Sequence, residues 1–169
     1  MTFIRFALRM VLIWAFCASA FAEPSQQLEV AGAVRQPLRL DTAALAAFPA
    51  ADLAQFAQTR SGQGVESQTT VRGVKLSSVI ERAGLSASGR DGWKTLVIVA
   101  TATDGYRAVF SWPEISNTPV GDGVLVLFER DGKALDEREG RIALISTGDR
   151  RLGARHVRNL ARIELRALD

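Results

Sequence analysis

From residue 28 onward, apolar and polar positions alternate over short stretches, which is typical of β-strands. Residues 28–34 predict one strand, Pro37 marks a turn, and residues 38–40 predict a second strand. Asp41 is a suitable N-cap for a helix over residues 42–48, because its carboxylate accepts hydrogen bonds from backbone N–H groups of the first turn. This part of the chain is predicted to run strand, turn, strand, helix.

A polar stretch, residues 59–68, interrupts the pattern and is the segment that most resembles a linker. Beyond it, apolar positions recur at the spacing of a helix, at Leu76, Val79, Ile80 and Ala83. Ser78 and Glu81 match a capping-box pair, and Gly84 is suited to end the helix. The sequence therefore predicts a helix that begins near residue 76 and stops at Gly84.

The second half of the chain is rich in apolar strands. Residues 95–100 and 124–128 are apolar at both parities, as in strands that are covered on both faces. Residues 142–145 predict another strand, and residues 163–166 alternate as a last, half-exposed one. Because strands and turns enclose only a few short helices, the predicted fold class is α+β with a mostly β core.

Turn and cap signals separate these strands. The Asp-Gly pairs at 104–105 and 131–132 predict tight turns, the second of them in a hairpin. Ser111 and Pro113 predict the start of a short helix, with Ser111 as its N-cap.

The first 22 residues predict a cleavable signal peptide. Arg5 and Arg9 precede an apolar run that extends to Cys17, and small residues at positions 20–22 close the segment. The run is shorter than the roughly 18–20 residues that span a bilayer as a helix, so we expect no stable membrane anchor. We expect cleavage near Ala22, a periplasmic or secreted protein, and a single domain over residues 23–169.

Charge and cysteine content exclude several function classes. Without Arg5 and Arg9, the 21 basic residues fall to 19 against 18 acidic ones, and the net charge falls from +3 to +1. No nucleic-acid partner is expected, because the charges alternate in sign over most of the chain and form no dense basic face. Cleavage also removes Cys17, the chain's one cysteine. Disulfides, thiolate nucleophiles and zinc sites made of histidine and cysteine are therefore excluded.

Basic residues concentrate near the end of the chain, at Arg150, Arg151, Arg155, Arg158 and Arg162. His156, the only histidine, lies among them. Guanidinium groups bind phosphate or carboxylate with two parallel hydrogen bonds, so Arg150, Arg155 and Arg158, together with His156, are candidates to bind an anionic group. The alternative is an exposed basic loop whose arginines pair with acids such as Asp149 and Glu164.

Four stretches, taken in order, resemble the molybdopterin-binding domain of the sulfite oxidase type. They are residues 28–34 with Pro37, residues 72–76 running to 83–85, Asp104-Gly105-Tyr106, and a C-terminal block of residues 124–135, 140–142, 153–160 and Ile163. The resemblance covers nearly all of residues 23–169, and it implies the same fold with molybdopterin as cofactor. It implies that Asp104 and Tyr106 lie at the rim of the cofactor pocket and that His156 and Arg158 line it. The alternative for Tyr106 is a tyrosine that follows a tight turn and faces along its strand.

The chain departs from this family at the metal ligand. In catalytic members a cysteine precedes the segment that matches residues 72–74, and its thiolate binds molybdenum, whereas residues 64–70 contain no cysteine here. The serine and threonine residues of that segment offer only hard, rarely ionised oxygens. Arg5 and Arg9 are not adjacent, so the twin-arginine pair that exports folded, cofactor-loaded members is also missing. Both departures favour a protein that is exported without a cofactor.

These observations lead to three hypotheses. The first is a periplasmic binding module of this fold, without redox catalysis and without a cofactor. It would bind a small anionic ligand or a partner protein through Arg150, Arg155, His156 and Arg158, with Asp104 and Tyr106 at the rim. The second is a molybdopterin-dependent oxidoreductase, or a subunit of one, with a non-cysteine metal environment. The third is a scaffold protein that uses an exposed sheet edge.

Overall fold

The structure is a computed structural model that describes residues 25–62, 65–87 and 89–168. Its strands are β1 (Leu28–Gly32), β2 (Leu38–Leu40), β3 (Leu53–Gly62), β4 (Val65–Lys75), β5 (Leu96–Ala102), β6 (Arg107–Ser111), β7 (Val124–Arg130), β8 (Lys133–Ala134), β9 (Ala143–Ser146) and β10 (Leu160–Ala167). Its α-helices are α1 (Thr42–Ala46), α2 (Leu76–Ala83), α3 (Trp112–Asn117) and α4 (Pro119–Asp122). The signal peptide predicted at residues 1–22 lies outside the described residues. None of the helices in the described ranges is long and apolar enough to cross a membrane.

The strands form two sheets, each built from segments far apart in the sequence. The first has the order β2-β1-β10-β5-β6, and the second has the order β3-β4-β7-β8, with β9 also paired to β7. β10 runs parallel to β1 and antiparallel to β5, so the last strand lies at the centre of the first sheet. Its outward side chains are partly exposed, as the alternation predicts. The predicted class, α+β with a mostly β core and short helices, is confirmed.

The main core lies between the first sheet and one face of the second. α2 contributes the predicted apolar positions, Leu76, Val79, Ile80 and Ala83, all of them buried. A second apolar cluster contains Val71, Leu125, Leu127, Leu135, Ala143 and Ile145. Alternate residues of β7 belong to the two clusters, since Val124 and Val126 lie in the first. This arrangement explains why β7 is apolar at both parities.

Three of the predicted helix ends are confirmed. Asp41 accepts a hydrogen bond from the backbone N–H of Ala44 (2.8 Å), and Ser111 accepts one from Glu114 (3.1 Å). α2 ends at Gly84, which has a φ of +68°. At Asp131-Gly132 both residues have positive φ, as a two-residue hairpin turn requires.

Two other predictions are wrong. In the supposed linker, residues 59–68, the described residues 59–62 and 65–68 belong to strands β3 and β4, whose backbone pairing extends from Thr59 and Gln68 to Gly62 and Val65. The capping box is absent because α2 already begins at Leu76, one turn earlier than a cap at Ser78 requires. The Ser78 hydroxyl instead donates to the carboxylate of Asp52 (2.9 Å).

We expect Gly32→Ala to lower the free energy of unfolding by more than about 2 kcal/mol. Gly32 has a φ of +90°, and a Cβ there would collide with the carbonyl oxygen of Leu165, its partner on β10. Gly132→Ala is the matched control, because Gly132 has a φ of +73° with open space around it. The control should cost only about 1 kcal/mol. Urea denaturation measures both, and equal losses would contradict the steric argument.

Candidate functional site

A cavity of about 270 Å³ opens between the β5–β6 turn and the segment that precedes β10. Its wall contains four of the six candidate residues, together with Gly153: Asp104, Tyr106, His156 and Arg158. The other two candidates, Arg150 and Arg155, are not among the residues that line it. The cavity is small enough for a ligand of a few heavy atoms.

The β5–β6 turn forms one side of the cavity. Asp104 accepts a hydrogen bond from the backbone N–H of Tyr106 (2.9 Å), and Gly105 between them has a φ of +86°. The Tyr106 hydroxyl donates to the backbone carbonyl of Ala154 (2.8 Å), across the cavity rim. Tyr106 as a whole residue is 44% exposed. Tyr106 therefore contacts the opposite wall, as a rim residue does, and does not lie along its own strand.

His156 is fixed by a carboxylate that the sequence analysis did not select. Its Nε2 lies 2.7 Å from Oε1 of Glu139. Arg130, at the end of β7, donates its Nε–H to the other oxygen, Oε2, at 3.1 Å, and its NH2 group bonds the same oxygen. The side chains of Glu139 and His156 are only 8% and 9% exposed. The three side chains thus form a nearly buried chain of hydrogen bonds that ends at the cavity.

Four consecutive charged residues, 136–139, predict a solvated loop, and the position of Glu139 departs from that prediction. Asp136, Glu137 and Arg138 are exposed, but Glu139 is buried at the end of the loop. Its backbone is held as well, because its N–H donates to the Asp136 carboxylate (2.8 Å) and its carbonyl accepts from Asn159 (2.7 Å). The sequence contains one indication that Glu139 is buried: it directly precedes Gly140, where the chain leads into the buried strand β9.

The surroundings of Glu139 keep it ionised. Burial raises the pKa of its carboxyl group, but hydrogen bonds from His156 and Arg130 and their charges lower it more, to about 2 from 4.5. Glu139 is therefore a carboxylate at any physiological pH. A carboxylate only accepts hydrogen bonds, so the Nε2 of His156 is the donor in this pair.

Arg155 is engaged in the fold and not in the cavity. Its Nε–H donates to Asp149 (2.9 Å) and its NH1 group to Glu114 of α3 (2.9 Å), and its guanidinium lies 4.6 Å from the ring centroid of Phe110. The hydrogen bond with Asp149 is the largest cause that raises the pKa of Arg155, and the same bond lowers that of Asp149. Asp149 is thus one of the partners that the alternative interpretation named.

Glu164, the other acid of that interpretation, lies elsewhere and pairs with Arg162 and Arg166 on β10. Arg150 is exposed. Arg158 is also exposed and forms no ion pair with any residue in the described part of the chain. Of the three candidate arginines, only Arg158 offers a guanidinium group to a ligand in the cavity.

The family model of the oxidoreductase molybdopterin binding domain matches residues 18–168. The chain belongs to this family. The structure is also similar to the sulfane dehydrogenase SoxCD from Paracoccus pantotrophus, with a TM-score of 0.60 and 18% identity over 84% of this chain. The matched region is 39% of that protein's chain, so the present domain spans well under half of its length. No curated protein matches. The resemblance to the sulfite oxidase type is thereby confirmed.

The described side chains of this molybdopterin-binding domain do not fit molybdenum. In catalytic members of the family a cysteine thiolate binds molybdenum. The described ranges contain no cysteine, since the chain's one cysteine, Cys17, lies outside them. Nor do any three His, Cys, Asp or Glu side chains in those ranges come together as a metal site. Both oxygens of Glu139 accept hydrogen bonds, one from His156 and one from Arg130, so its carboxylate is already engaged within the protein.

We expect Arg155→Ala to lower the free energy of unfolding by about 1–3 kcal/mol, because it leaves the partly buried carboxylates of Asp149 and Glu114 without their cation. Arg158→Ala should change it by less than about 0.5 kcal/mol, because the side chain is exposed. Thermal and urea unfolding of both variants test this contrast. It would be refuted if Arg158→Ala were the more damaging change.

Because the pKa of Glu139 is lowered in the folded protein, the free energy of unfolding depends on pH in the acidic range. The native pKa, about 2, lies below the ordinary value of 4.5, so this contribution is complete above about pH 4.5 and is lost as the pH falls towards 2. We expect a loss of roughly 3 kcal/mol over that interval. Glu139→Gln should remove this part of the pH dependence. Glu137→Gln, an exposed carboxylate of the same loop, should retain it. Urea denaturation from pH 6 to about pH 2 gives the comparison, and identical slopes in all three proteins would contradict it.

Proposed function

We propose that this domain is a binding module for a small anion, which works in the periplasm without molybdenum redox chemistry. The observation that carries the proposal is Arg158, an exposed arginine that lines the cavity and forms no ion pair in the described part of the chain. A charged donor of this kind forms strong hydrogen bonds with carboxylate or phosphate oxygens. Tyr106 and His156 beside it add groups of defined orientation.

The chemistry of the donor set supports a function without redox catalysis. Oxygen-atom transfer in this family needs a soft metal ligand, and the serine and threonine oxygens of residues 64–70 do not replace a thiolate. The cavity, in contrast, needs no metal to bind an anion. The same guanidinium group could also bind an acidic side chain of a partner protein. Binding of a partner protein is therefore the second version of this proposal.

We expect anions to stabilise the protein by mass action, with a rise in melting temperature that grows with ligand concentration. Arg158→Ala should weaken the binding at least about tenfold, because a hydrogen bond to a charged group contributes about 1.5–3 kcal/mol. Arg39→Ala is the matched control, since Arg39 is an exposed arginine on β2, at the opposite edge of the first sheet from the β5–β6 turn. A thermal-shift screen of carboxylates and phosphates, followed by calorimetry, measures these effects. Equal losses in both variants would show non-specific screening and refute the site.

Metal analysis distinguishes the binding module from the oxidoreductase. Protein purified from its native compartment should contain far less than one molybdenum per chain. The measurement is elemental analysis by mass spectrometry, with the refolded protein as a blank. Stoichiometric molybdenum would refute the proposal in favour of an enzyme with a non-cysteine metal environment.

A further inference from the structure

We propose that the cavity selects anions that carry a hydrogen-bond donor beside the negative charge, of which 2-hydroxycarboxylates are the simplest class. The inference rests on the proposed anion-binding function and adds what the rest of the ligand must contain. It follows from the hydrogen bond between Glu139 and His156, which determines which ring nitrogen carries the proton.

The first step concerns the proton on His156. Glu139 is a carboxylate and accepts at both oxygens, one from Arg130 and one from His156. The neutral imidazole has one N–H and one bare nitrogen, and the N–H must point at the carboxylate. In the neutral imidazole the proton therefore lies on Nε2, and Nδ1 is an acceptor.

The second step places this acceptor in the cavity. Nδ1 forms no hydrogen bond with the described residues, and it is absent from the buried polar atoms that lack a partner there, which are Oε1 of Gln58 and Oδ1 of Asn159. Nδ1 is therefore accessible. Because His156 lines the cavity and its Nε2 is directed at Glu139, Nδ1 is the nitrogen that a bound ligand meets.

The third step counts the groups that a ligand would face. Arg158 contributes only donors. Nδ1 of His156 is an acceptor, the Tyr106 hydroxyl has given its proton to Ala154 and retains lone pairs, and Asp104 is an exposed carboxylate. An anion made only of acceptor oxygens satisfies Arg158 but places further oxygens against these acceptors. An anion with a hydroxyl group satisfies both kinds of partner, and a site built for that hydroxyl discriminates against a ligand that lacks it.

Glycolate and acetate test the proposal directly, because they carry the same charge and differ by one hydroxyl group. Calorimetry on the full chain at about pH 8.5 keeps both ligands ionised. We expect glycolate to bind at least about tenfold more tightly than acetate. In His156→Phe, and in Glu139→Gln, where the imidazole is no longer held in one tautomer, the preference should fall to about twofold or less.

The tautomer has a readout that needs no substitution. His156 is the only histidine in the chain, so ¹⁵N-histidine labelling gives one pair of ring-nitrogen signals. We expect the shift of a protonated nitrogen at Nε2 and of a bare nitrogen at Nδ1. The reverse assignment would overturn the inference, whatever the variants do.

The binding outcomes separate this inference from the function beneath it. Tight glycolate and weak acetate binding support both. Equal affinities for the two anions overturn the selection but leave anion binding intact. If neither anion, nor any other anion of the thermal-shift panel, binds the wild-type protein, the proposed function fails and the inference fails with it.

Discussion

The carboxylate of Glu139 joins three parts of the molecule that are distant in sequence: Arg130 at the end of β7, the loop after β8, and His156 in the cavity wall. A charge with so little exposure is tolerated only when its oxygens are hydrogen-bonded and its charge is balanced. Removing Arg130 would leave a buried charge without its cation, and removing His156 would leave one carboxylate oxygen without its hydrogen bond. The position of His156 therefore depends on a charge balance that lies behind the cavity and outside the reach of any ligand.

The rest of the cavity wall is held by contacts between backbone groups. The carbonyl of Asn159 accepts from Thr103 (3.0 Å), next to the β5–β6 turn, and Val157 pairs in both directions with Leu144 of β9 (2.8 Å each). The Tyr106 hydroxyl adds a bond across the rim. Because these contacts lie within the protein, the cavity keeps its shape without a bound group. A preformed site of this kind saves its ligand the entropy cost of ordering the wall.

Local patterns were enough to predict most elements of the fold. Caps such as Asp41 and Ser111 act within one turn, and the apolar spacing of α2 needs no knowledge of its partners. Position in the sheets was not predictable in this way, since β10 pairs with β1 across most of the chain. The same limit applies to the site. Arg155 and Arg158 look alike in sequence, and only the three-dimensional neighbourhood, with Asp149 and Glu114 near one of them, separates a structural arginine from an accessible one.

The charge of the cavity bears on how an anion would be recognised. Arg158 brings one positive charge and Asp104 one negative charge, so the wall has little net attraction for a distant anion. Salt further screens such attraction beyond about 8 Å at physiological ionic strength. Affinity must then come from hydrogen bonds made at contact, which depend on direction and on the balance of donors and acceptors. A site with one cation among several acceptors discriminates between ligands by their hydrogen-bond pattern more than by their charge. The position of the proton on His156 therefore affects the choice of ligand more than additional surface arginines would.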